Sequence, residues 1–137
     1  MTWEGAVPLP SITAAYLAVL ALLYAALGLW VVRLRGSNRA GFGDAGNAEL
    51  RSAIRAHAHF AEYVPIIALM AAMLEGSGLP AMRVHALMGA LLMARLLHPF
   101  GMFAEPQTLQ FRICRVGGMV ITTLACAVLI LWRLLLR

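Results

Sequence analysis

Four apolar runs, each close to the length needed to cross a bilayer, leave few architectures open to this chain. A spanning helix needs about 20 mostly apolar residues to cross about 30 Å of hydrocarbon. The first run extends from Ile12 to Val32, opened by Pro8, Pro10 and Ser11 and closed by Arg33, Arg35 and Gly36. The second extends from Ala48 to Leu74 and ends in the turn residues Gly76, Ser77, Gly78 and Pro80. The third covers Ala81 to about Phe103 and the fourth about Leu109 to Trp132, with Gly101, Glu105 and Pro106 at their joint. In lipid every backbone amide must be paired internally, which continuous helices achieve within each segment. The expectation is an all-α integral membrane four-helix bundle, a single domain over residues 1–137, with a solvated loop from Gly36 to Asn47.

The charge pattern sharpens this reading. Only 12% of residues are charged and 62% are hydrophobic, whereas a soluble domain has about a quarter of its residues charged. The basic residues are eleven arginines and no lysine, set against six acids, for a net charge of +5. Because these arginines flank and interrupt membrane-length runs, the partner they imply is anionic lipid or an anionic ligand rather than nucleic acid. Arg33, Arg35, Arg39, Arg51, Arg55, Arg112 and Arg115 flank the first and third loops, while Arg83, Arg133 and Arg137 lie on the terminal side. The positive-inside rule then places the first and third loops in the cytoplasm. Met1, Thr2, Trp3 and Glu4 lack the basic start of a signal peptide, so the first run is expected to stay in the mature chain. Cys114 and Cys126 have no CxxC spacing and read as small apolar packing residues.

Charged residues inside spans are expensive, and each asks for a function and a partner. On the second helix, at about 100° per residue with Arg55 as zero, Arg51 falls near −40°, His59 near +40° and Glu62 near −20°. His57, at about 200°, faces away, so these four residues form a directional stripe. The antiparallel third helix brings Arg95 and His98 to a similar depth, and Glu62 is expected to pair with Arg95 or Arg55. Arg112 and Arg115 join the rim from the fourth helix. Several arginines with one acid and two histidines suit a small polyanion carrying an amine, and nearby cations favour a bound thiolate. No HExxH or Cys/His cluster is present, so no metal site is expected.

The stretch Arg51-Ser-Ala-Ile-Arg55-Ala-His57-Ala-His59-Phe-Ala-Glu62-Tyr63-Val-Pro65 resembles the second-helix signature R-A-H-x-N-x-x-E-Y-x-P of the MAPEG family, the membrane-associated proteins in eicosanoid and glutathione metabolism. Arg95-Leu-Leu-His98 on the third helix and Arg115-Val-Gly-Gly118-Met-Val-Ile-Thr122 on the fourth extend the resemblance over most of the chain from Arg33 onward. The resemblance implies a homotrimer, of a bacterial inner-membrane type, with glutathione as co-substrate between subunits near the cytoplasmic face. It implies glutathione contacts for Arg55 and Glu62 and further contacts for Arg33 and Arg95, and the polar residues Arg51, His59, Tyr63 and His98 complete the expected binding set. Arg115, or Arg112 one turn earlier, fits the arginine that activates the thiol. The sequence departs from the signature at His59, where the family usually has Asn. Met102 and Phe103 stand where some eicosanoid enzymes carry a tyrosine, which weighs against a leukotriene or prostaglandin substrate.

Two functions follow. The first is a glutathione transferase or peroxidase type of membrane enzyme acting on hydrophobic electrophiles that enter from lipid. The second is a non-catalytic or differently specific protein of the same fold, binding another thiol or anionic lipid, which His59 favours.

Overall fold

The computed structural model describes residues 9–102 together with Val120, Thr123, Leu124, Ala127, Ile130, Leu131 and Leu134. Three helices run through the continuous part: α1 (Ser11–Ser37), α2 (Ala48–Gly76) and α3 (Ala81–Met102), with no strand among the described residues. Their bounds follow the apolar runs closely. The main difference is at α1, which continues past Val32 through Arg33 and Arg35 to Ser37, because arginine is a good helix former and nothing breaks the helix before Gly36. The described residues of the fourth run are helical, and the rest of that run, with Cys114 and Cys126, lies outside the described residues.

Hydrogen bonds fix both helix connections. Asn47 caps α2 by accepting from the Leu50 amide at 2.9 Å, and its own amide group donates to Asn38 Oδ1 at 2.9 Å. Asn38 in turn donates to the Leu34 carbonyl at 2.9 Å, so one chain of contacts joins the end of α1 to the start of α2. At the other end Gly78 adopts φ +84°, a left-handed conformation that glycine takes without steric cost, and the Leu79 amide closes on the Leu74 carbonyl at 3.0 Å.

Each of the three helices packs on the other two. On α2 the buried residues Phe60, Val64, Ile67, Ala71 and Leu74 recur at alternating steps of four and three, giving one apolar seam. It meets Leu20 and Leu27 from α1 and Val84, Leu87, Met88 and Leu91 from α3. The outside is apolar as well: Leu22, Leu29, Val32, Leu69 and Met73 are all exposed. A helical chain apolar both inside and out is suited to lipid, and α1 and α2 are each long and apolar enough to cross a membrane.

Glu75 supplies a tie that the apolar pattern did not reveal. Its carboxylate accepts from the amides of Ile12 at 2.9 Å and Thr13 at 2.8 Å, two of the N–H groups left over at the start of α1. Replacing Glu75 by Ala removes that acceptor from both amides and is expected to lower stability by about 1–3 kcal/mol, measured by thermal unfolding in detergent.

Candidate functional site

Arg55, His59 and Glu62 follow one another at steps of four and three residues and therefore share one face of α2. Arg55 Nη2 lies 3.3 Å from His59 Nε2, and Glu62 Oε2 lies 3.7 Å from His59 Nδ1. The histidine is the innermost of the three: its side chain is 16% exposed against 52% for Glu62. Its ring is held from two sides. Tyr63 stacks nearly parallel to it, 5.9 Å between centroids and 10° between planes, and His98 of α3 meets it edge-on at 5.4 Å and 65°.

Behind this face is Arg95, 1% exposed and the largest fully buried side chain among the described residues. Its Nε and Nη1 are enclosed and have no hydrogen-bond partner among those residues, while Tyr63 lies within electrostatic range. The expected pairing of Glu62 with Arg95 or Arg55 is therefore corrected. Glu62 projects from the exposed side of α2, Arg95 is buried in the bundle, and His59 stands on α2 as the partner that both Glu62 and Arg55 meet.

The structure thus brings together Arg55, His59, Glu62 and Tyr63 from α2 with His98 from α3, and places Arg95 one turn before His98. Arg51 is held elsewhere, by Asp44 of the α1–α2 loop. The Arg51 guanidinium and the Gly46 amide hold the Asp44 carboxyl below its usual range. Arg33 is exposed near the end of α1, and Arg112 and Arg115 lie outside the described residues. His57 points away from the stripe, as its helical angle requires, and stacks on Tyr24 of α1 at 4.4 Å and 19°. Gly28 makes room for that stack, since a Cβ there would come within 3.3 Å of His57 Nε2.

An apolar cavity of about 560 Å³ lies between α1 and α2, lined by Leu20, Tyr24, Phe60, Ala61, Pro65 and Ala68 among others. Pro65 has no N–H, so the Ala61 carbonyl one turn earlier loses its helical donor at the cavity wall. Tyr24 lines this cavity and stacks on His57, so the apolar space lies on the side of α2 that His57 faces, away from the stripe. Sequence reasoning missed this cavity, for which the proline inside a membrane-length run was the available signal. Chemically, a cation and a carboxylate open at the surface, with a second guanidinium enclosed behind them, suit a zwitterionic ligand bearing carboxylates and an amine.

Two outcomes follow from these contacts. The depressed Asp44 carboxyl stabilises the loop above the ordinary carboxylate range, and that contribution is lost as pH falls through its lowered value. The difference in unfolding temperature between wild type and Asp44→Asn is thus expected at neutral pH and should vanish in acid. Replacing Arg95 by Met removes a buried guanidinium that is short of protein hydrogen bonds. The unliganded protein is expected to gain on the order of 1–4 kcal/mol, read as later thermal unfolding, whereas a loss would mean the protein itself satisfies the charge.

Comparison with known proteins supplies the family. The MAPEG family model matches residues 13–135. Inner membrane protein YecN of Escherichia coli strain K12 is 39% identical over 90 residues, which cover 66% of this chain and 69% of the relative. Inner membrane protein YecN of Escherichia coli O6:H1 strain CFT073 matches with the same 39% identity and the same coverage. No solved structure matches the chain. With almost its whole length matched by the model, the chain belongs to the MAPEG family.

Proposed function

We propose that this chain is a glutathione-dependent membrane enzyme of the transferase or peroxidase type, acting on hydrophobic electrophiles drawn from the bilayer. The observation that carries the reading is the run Arg55–His59–Glu62 on the open face of α2, backed by the enclosed Arg95. Glutathione carries two carboxylates, an amine and a thiol. Arg55 and Arg95 hold the carboxylates, Glu62 meets the amine, and Tyr63 and His98 fix the ring of His59 beside the sulfur. Arg33 and Arg51, nearer the loop, add positive charge at the rim, and Arg115 or Arg112 holds the thiolate.

Assembly is part of the proposal. Arg55 and Glu62 are exposed on a single chain, and a charged pair facing hydrocarbon on a membrane helix costs several kcal/mol unless protein or water covers it. A homotrimer covers that face and encloses the ligand between neighbouring protomers, in an inner membrane with the first and third loops on the cytoplasmic side. His59, standing where the family signature usually has Asn, supports a second reading in which the same site takes a different thiol or an anionic lipid without turnover.

Arg55→Ala separates these readings from an unrelated function. Loss of a charge-assisted hydrogen bond worth about 1.5–3 kcal/mol is expected to weaken glutathione binding by roughly 10- to 150-fold, measured by equilibrium dialysis in detergent. Wild type that fails to bind glutathione at millimolar concentration would refute the primary reading, and binding of anionic lipid in its place would support the second.

A further inference from the structure

His59 is where the polar groups of α2 converge, and its surroundings specify its proton. A guanidinium carries only N–H donors, so the 3.3 Å approach of Arg55 Nη2 is a hydrogen bond only if His59 Nε2 accepts it with a lone pair. A ring that accepts at Nε2 carries its hydrogen on Nδ1. That nitrogen is buried and turned toward Glu62 Oε2 at 3.7 Å, so a carboxylate stands ready to stabilise an imidazolium. Tyr63 against one face and the edge-on His98 restrict the ring's rotation. A ligand that displaces the exposed Arg55 would meet Nε2 first.

We propose that His59 is the general base that takes the proton of the bound thiol, an inference that rests on the glutathione reading above. The S–H bond breaks as an N–H bond forms at Nε2, and Arg55 swings from Nε2 to the anionic sulfur. The sulfur uses its electron pair to form a C–S bond with an electrophilic carbon of the lipophilic co-substrate. The imidazolium, held by Glu62, then returns its proton to the carbanion or leaving group so produced. Asparagine at this position hydrogen-bonds but cannot take the proton, so the step belongs to the histidine-bearing form of the motif. Among the described residues, the groups that bear on its pH dependence are Arg55, Glu62 and Tyr63 from α2, and His98 with Arg95 one turn before it from α3.

The test uses the full chain in detergent with glutathione and reads three quantities: bound ligand by dialysis, thiolate by its ultraviolet absorbance, and protons released into a weakly buffered medium. Wild type is expected to form thiolate while releasing clearly less than one proton per thiolate, because Nε2 keeps it. His59→Asn is expected to bind within about threefold of wild type yet form at least about tenfold less thiolate, and to lose the rising limb of its rate profile between about pH 5 and 8. Equal thiolate and equal proton release in His59→Asn would overturn the proposal. So would one full proton released per thiolate by wild type, a measurement that needs no variant to fold. Wild type that binds no glutathione overturns the functional reading and this inference together, whereas binding that is indifferent to His59 in every readout removes the base alone.

Discussion

Enclosing a guanidinium among membrane helices costs several kcal/mol unless hydrogen bonds and a counter-charge compensate it. Arg95 is enclosed, and two of its nitrogens have no hydrogen-bond partner among the described residues. The rest of the site is arranged around that constraint. His98 one turn later and Tyr63 across the helix pair bring polar atoms to the same level, and His59 connects this interior to Arg55 and Glu62 at the surface. A buried guanidinium short of hydrogen bonds is a departure from the packing rules the remaining core obeys, of the kind that functional sites make.

The core does obey them. Steps of three and four residues place Phe60, Val64, Ile67, Ala71 and Leu74 in one seam, and the ends of α2 are set by the Asn47 cap and by Gly78 in its left-handed conformation. The bounds of α2 were legible in the sequence because the loop and turn residues that end it lie within a few positions of one another. The direction of His57 was legible for the same reason, since helical angle alone turns it away from the stripe.

What the sequence left open depends on contacts between distant segments. Nothing local distinguishes Glu75 as the acceptor for the first amides of α1, which lie 63 and 62 residues away. Depth along antiparallel helices paired Glu62 with an arginine, but depth does not say which way a side chain leaves its helix. Burial separates the two: Arg95 lies inside and Glu62 half outside, with His59 as the partner of the acid. The stack of His57 on Tyr24 gives Gly28 a packing role within the chain. Arg51 fell on the stripe by angle, yet it stands one turn before Arg55, within reach of Asp44 in the loop.

The proposed arrangement, in which copies of this chain cover each other's charged stripe and hold a thiol tripeptide between them, draws on family membership and on the open polar face of α2. Native mass spectrometry of the full chain released from gentle detergent in the presence of glutathione tests that arrangement most directly. The account predicts a three-chain assembly that retains glutathione and loses it when Arg55 is replaced. A single-chain species that carries no glutathione would contradict it.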